Sequence, residues 1–304
     1  MTTLFGSDLH LGFAAYFTEP AYRDRETIDR LTTLLADRRW PWLPWWLSFS
    51  AVKKRDDRKS LRVGGKNGVD PIAHGIGNER MTTLRMERAR GEGNDTSVRL
   101  DIDRRRLTWA WEAPSYLLAT CKAVDLPEGK SVESWISLLH DLVRCLKIAN
   151  GVLGVWKSYY QALSDTSLTG ITLDTPKGDI ELGVAGKFNE QRSKTSEWRK
   201  FIGVTYARYP RWGTYLNDAH VAAVGGVDKI RGEVSPVRLE RVGRCTYIQL
   251  TDTFDTAFTA EAVDRRNRLE ALMAPILVGA APERIPEIVA KLEEERERRR
   301  QEGS

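Results

Sequence analysis

Residues 201–277 read FIGVTYARYPRWGTYLNDAHVAAVGGVDKIRGEVSPVRLERVGRCTYIQLTDTFDTAFTAEAVDRRNRLEALMAPIL, and this stretch decides the fold. The run 201–206 is short, apolar and partly β-branched, which predicts a buried strand. Pro210 ends it, and Trp212-Gly213 predicts a turn. Asn217-Asp218 offers side-chain oxygens to the free amides of a short helix over 219–224. Gly225-Gly226 stops that helix, and at least one of the pair is expected at positive φ. The runs 237–242 and 245–250 predict two strands around Gly243-Arg244, a two-residue hairpin connection. Thr259 then caps a helix with Ala262, Val263, Leu269, Leu272 and Met273 on its apolar side, ended near Pro275. Strands joined by short turns, with no helical crossovers between them, predict an α+β fold with a mostly antiparallel sheet and helices packed on it.

Upstream, Ser131 caps a second convincing helix. Trp135, Ile136, Leu139, Leu142, Val143 and Leu146 give it a wide apolar face, and Asn150-Gly151 predicts its stop, so it spans 131–149. Both long helices are expected to lay their apolar faces on the sheet. Residues 4–17 predict a strand or two, and 25–39 a surface helix with Ile28, Leu31, Leu34 and Leu35 on one stripe. The segment 40–47, WPWLPWWL, predicts a rigid aromatic corner, because Pro41 and Pro44 forbid a regular helix and spoil a central strand. Residues 53–94 are glycine-rich and aperiodic, which predicts long loops around short strands at 61–63 and 82–86. Alternation predicts hairpins at 98–111 and 168–184, and a strand at 152–156. A charged tail, 282–304, carries Glu-before-Arg pairs such as Glu294 with Arg298 and predicts a solvated helix. The organisation expected is one domain over 1–281, with an N-terminal subdomain over 1–125, followed by that tail.

Composition bounds the function. Of 304 residues 41% are hydrophobic and ten are Trp, ample for a real core. A net charge of +5 is modest for a dedicated nucleic-acid binder of this size. Cys121, Cys145 and Cys245 lie far apart, which argues against a disulfide framework or zinc knuckle and for a reducing compartment. No basic start precedes a long apolar run, and no 18-residue apolar run occurs, so neither a signal peptide nor a membrane span is expected. The expected location is cytoplasmic.

The string PRWGTYLNDAHVAAVGG at 210–226, followed by a hairpin ending YIQLTD and a helix ending ALMAPIL, resembles the C-terminal part of bacterial polymorphic-toxin immunity proteins, the type VI secretion immunity families. The resemblance covers the last third of the chain, with a looser match in the helix at 131–149. Its motifs are structural and speak to kinship more than to chemistry. It implies a cytoplasmic protein without catalytic activity or cofactor that binds a cognate toxin and occludes its active site or substrate groove. Tryptophan and arginine anchor interfaces, so the partner-contact candidates are Arg211, Trp212 and Tyr215 at the turn, or Trp42, Trp45 and Trp46 at the corner. For Trp212 a packing role beneath the turn competes with that assignment.

Two other function classes have a foothold. Residues 7–12, SDLHLG, resemble the first metal-binding motif of calcineurin-like metallophosphoesterases, with Asp8 and His10 as metal ligands. A two-metal centre needs further ligands. The remaining histidines are His74, His140 and His220, Gly77-Asn78 runs into Glu79, and no His-x-His occurs. The second foothold is 38–66, with nine basic residues against Asp56 and Asp57 beside four tryptophans. It is a candidate surface for nucleic acid, a membrane face or a partner. Gly64-Gly65-Lys66-Asn67 lacks the Ser or Thr that completes a phosphate loop. No Gly-x-Ser-x-Gly elbow is present.

Overall fold

Short alternating runs and two amphipathic helices dominate the chain order. The computed structural model describes residues 10–17, 25–35, 37, 46–51, 60–62, 81–87, 97–101, 115–122, 132–156, 172–173, 180–181, 206–277 and 301. The first elements are β1 (His10–Phe17), α1 (Arg25–Leu35), β2 (Trp46–Ala51), β3 (Ser60–Arg62), β4 (Met81–Glu87), β5 (Ser97–Asp101) and β6 (Ser115–Lys122). Next come α2 (Val132–Cys145), β7 (Ile148–Trp156), β8 (Thr172–Leu173), β9 (Ile180–Glu181) and β10 (Gly213–Asn217). The chain continues through α3 (Asp218–Ala223), α4 (Val227–Val234), β11 (Arg238–Val242), β12 (Cys245–Gln249) and α5 (Ala260–Met273).

Ten strands share one sheet in the order β11-β12-β10-β7-β1-β6-β5-β4-β2-β3. Every neighbouring pair is antiparallel. The fold is thus α+β with an antiparallel sheet, as the short connections predict. β8 and β9 pair separately as a two-stranded ribbon. No described helix is long and apolar enough to cross a membrane.

The β12-β10-β7 part of the sheet is covered on both faces. All five residues of β12 are buried, which a strand wet on one side does not show. Ile248 of β12 and Leu216 of β10 point to the face covered by α3, α4 and α5, where Ile230, Val234, Leu269 and Met273 complete a core. Tyr247 and Tyr215, one residue away on each strand, point to the opposite face, where His140 of α2 meets both rings. Each large apolar side chain buried this way contributes about 1.5–3 kcal/mol.

Several boundaries differ from the expectation, each for a local reason. Helix α2 ends at Cys145, not at 149, because Lys147 takes a positive φ of 21° and turns the chain into β7. Asn150-Gly151 lies inside β7, opposite Leu216 and Tyr215. Gly151 is needed there because a Cβ would lie 3.0 Å from Ala15 Cβ and 3.1 Å from Ala14 O of the neighbouring strand. Trp212-Gly213 is a strand entry, not a turn, since Gly213 opens β10 and pairs with both Gln249 and Leu153. Trp46 and Leu47 belong to β2, not to a rigid corner. Standing beyond Pro44, they keep the amides that a ladder uses. Four elements had no counterpart in the sequence reading: β2, β6, β10 and α4. The 201–205 run, the 107–111 strand, the 40–45 part of the corner and the tail, apart from Gln301, lie outside the described residues.

Candidate partner interface

A threonine-rich loop between β12 and α5, TDTFDTAFT at 251–259, builds the surface beside β10. Threonine hydroxyls bind nearby backbone and so fix irregular turns. Thr251 Oγ1 donates to Thr253 O (3.3 Å), Thr256 Oγ1 to Thr253 O (2.7 Å) and Thr259 Oγ1 to Thr256 O (2.9 Å). Thr259 Oγ1 also accepts from Ala262 N and caps α5, as its position predicts. The Gln249 amide donates to Thr251 O and Asp252 O, and Arg265 Nη1 donates to Leu250 O (2.7 Å). The loop is tied at both ends, and at its tip Phe258 is 52% exposed.

Beside Phe258 lies a shallow cavity of about 30 Å³ lined by Arg211, Trp212, Leu250, Ala257, Phe258, Ala262 and Arg266. Trp212 forms its floor. Its indole stacks on Phe254 with ring centroids 4.2 Å apart, and its Nε1 donates to Thr251 Oγ1 at 2.9 Å. Arg211 crosses β7 where residue 154 is glycine; a Cβ there would stand 2.8 Å from Arg211 Cβ. Arg211 and Arg266 are both half-buried. Burial, and then the Arg211 charge, push the Arg266 guanidinium pKa below its ordinary value, with Glu270 opposing.

Beneath this end of the sheet lies a buried aromatic layer of Phe13, His140, Tyr215 and Tyr247. Burial, reinforced by Arg144 and Arg238, lowers the His140 pKa to about 4 against the opposing charge of Asp141. His140 is therefore neutral at pH 7, and the Glu240 carboxylate 3.9 Å from its Nδ1 is a neighbour, not an ion-pair partner. His140 Nε2 and Tyr215 Oη make no hydrogen bond. The Tyr247 hydroxyl donates to Gln249 Oε1 at 3.1 Å. Burial raises the pKa of both tyrosines and pushes the Cys245 thiol up to about 12. These groups are uncharged at neutral pH and pack against one another in this layer.

Of the candidate contact residues, Arg211 lines the cavity, while Trp212 is 5% and Tyr215 0% exposed. Trp212 therefore carries the surface from below, and Tyr215 lies on the far side of the sheet against α2. Trp46 opens β2, opposite Arg62 and Glu87, while Trp42 and Trp45 lie outside the described residues. Asp8 is also outside them. His10 opens β1, paired with Lys122 and Trp156, whereas the metallophosphoesterase motif places Asp and His after a strand. Among the described residues no three of His, Cys, Asp and Glu gather as metal ligands. The sequence reading missed Phe258 and Arg266. For Phe258 the available signal was an aromatic isolated among threonines; for Arg266 there was none, since the three arginines of α5 are matched by three acids.

No protein-family model matches the chain, and no curated protein matches it. Among solved structures the chain resembles a Pseudomonas aeruginosa T6SS protein, PA0821, at 14% identity and a TM-score of 0.58, over 89% of this chain and 73% of that one. At that identity the likeness is one of fold.

Proposed function

We propose that this chain is an immunity-type binding protein of a type VI secretion pair, which neutralises a cognate toxin by occluding it and catalyses nothing itself. The observation that carries this reading is the fold shared with a T6SS protein across 89% of the chain. The PRWGTYLNDAHVAAVGG resemblance, reached independently from sequence, points the same way. The face at the start of β10 and the 251–259 loop is the interface we favour. It puts an exposed aromatic and two arginines on a hydrogen-bonded frame, and rigid anchors of those residue types dominate protein interfaces.

The test is growth rescue. A secreted toxin encoded beside this chain's gene is expressed in the bacterial cytoplasm with and without the chain, and complex formation is followed by size-exclusion chromatography. Rescue with a co-eluting complex is expected. Toxicity unchanged by the chain, with no complex at micromolar concentrations, would overturn the reading.

A further inference from the structure

We infer that β11 is a docking edge for a second copy of this chain, and that two β11 strands pair antiparallel about Leu239 in a symmetric dimer. The inference stands apart from the toxin-binding reading and makes no use of the 251–259 face.

Backbone direction carries it. β11 ends the ten-stranded sheet, and among the described residues no strand lies beyond it. Leu250 N donates to Trp212 O at 3.0 Å, which turns the main chain of Leu250 toward β10 and that of Gln249 toward β11. Val237 N donates to Gln249 O accordingly, also at 3.0 Å. Arg238, opposite Gln249, therefore gives its amide and carbonyl to β12, and at a period of two so do Glu240 and Val242. Leu239 and Arg241 turn theirs outward. Outward amides and carbonyls on a sheet edge are a template for another strand. Proline, which would remove an amide, stands before the strand at Pro236 and not within it.

Side-chain charge selects a second copy and sets the register. Arg238 and Glu240 lie on the α2 face, where Glu240 stands 3.9 Å from His140. Leu239 and Arg241 lie on the other face, Leu239 against the core under α3, α4 and α5 and Arg241 bonded to Asp218 of α3. A two-fold axis normal to the sheet keeps each face continuous with its own kind. The outward groups allow symmetric registers centred on Leu239, Glu240 or Arg241. Centring on Glu240 sets two carboxylates opposite each other, and centring on Arg241 sets two guanidinium groups so. Like charges directly opposite are destabilising. Centring on Leu239 instead sets Arg238 opposite Glu240 of the second copy, twice by symmetry, in non-hydrogen-bonded pairs where side chains come closest. It also sets Leu239 on Leu239, which joins the two apolar cores at the seam. Charged side chains usually blunt an edge, but the order of these makes the strand complementary to itself. A foreign strand would need its own acid and base at matching places, and a second copy carries both.

The test is sedimentation equilibrium of the full chain and its charge variants at micromolar concentrations, with circular dichroism and melting temperature as the check on folding. A monomer–dimer equilibrium is expected. R238E and E240R should each weaken it roughly tenfold or more, because each sets like charges opposite. An equimolar mixture of R238E and E240R should dimerise as wild type does, since each Glu then meets an Arg across the seam. In a second measurement, L239C is oxidised beside E240C and wild type. L239C should cross-link to itself, because the Cα atoms of a hydrogen-bonded pair stand about 5.5 Å apart, within disulfide reach. A monomer at every concentration would overturn the inference. So would a dimer indifferent to the charge reversals, or one cross-linked through E240C and not L239C. Protection of the Leu239 and Arg241 amides only when the toxin identified by rescue is added would assign the edge to that partner and overturn the second copy. Growth rescue by a monomeric chain would remove the dimer and leave the proposed function, while a dimer that rescues nothing would do the reverse.

Discussion

Gly225 and Gly226 both take positive φ, 97° and 93°, so the expectation drawn from a Gly-Gly pair after a short helix holds at both positions. Gly226 has ψ 172°, a region essentially closed to any residue with a Cβ. No atom lies within 4 Å of where that Cβ would stand. Gly226→Ala is therefore a test of backbone strain alone, and a loss of about 1–3 kcal/mol in chemical denaturation is expected. An unshifted midpoint would contradict this backbone. His140 gives a pH test. Its folded pKa of about 4 lies below the ordinary 6.5, so above pH 6.5 both states are neutral and the native packing is at full strength. As pH falls from 6.5 to 4 the unfolded chain takes up a proton that the fold refuses, and stability declines by about 1–3 kcal/mol. Thermal melts of wild type and His140→Leu across that window check this. The difference between them should shrink or reverse toward pH 4, and parallel curves would refute it. The lone unbonded Nε2 is the reason leucine is the right replacement.

At the scale of elements, caps and turns were the legible features. Asn217 Oδ1 accepts from His220 N at 2.9 Å and starts α3. Asp218 beside it binds Arg241 of β11, which holds its carboxyl below the usual range. Gly243 turns the β11–β12 hairpin at φ 59°. Thr259→Ala removes the α5 cap together with the tie to Thr256 O, and should cost about 1 kcal/mol. Because that cap also ends the loop carrying Phe258, amide exchange over 254–262 should quicken more than exchange in β10. Uniform quickening would mean that the loop is not held locally. Helix α4 escaped the sequence reading because its first turn follows Gly226 directly, where a side-chain cap would normally announce it, and its cap residue makes no side-chain hydrogen bond. β6 (SYLLATCK) escaped because its apolar run, Tyr116 to Ala119, shows little alternation to detect.

For the whole molecule the decisive feature is that β10 is an internal strand. It joins β12 on one edge and β7 on the other, and Cys245 Sγ donates to Ile148 O at 3.2 Å across the same seam. Tyr215 completes its surroundings with Phe13 and His140 from the first half of the chain. The organising stretch therefore lacks one sheet neighbour and one covering helix when cut away. A fragment of residues 201–304 is expected to give a poorly dispersed amide spectrum and no cooperative melt, while the full chain gives both. A well-dispersed fragment would show the last third to be autonomous.

The sequence alone determined what is local: the caps at Asn217 and Thr259, the glycines at positive φ, the hairpin at Gly243 and the apolar stripes of α1, α2 and α5. Each of these depends on residues within about one helical turn, where side-chain chemistry and backbone sterics act directly. Only the tertiary structure decided that Asn150-Gly151 is strand and not helix stop, because the close approach of Ala14 and Ala15 comes from a strand more than a hundred residues away. Tertiary packing likewise buried Trp212 and Tyr215, which sequence offered as contacts, and brought Arg211 beside Arg266 across 55 positions. No pattern along the chain encodes that pairing, since it is set by how the strand start and the last helix pack over the same loop.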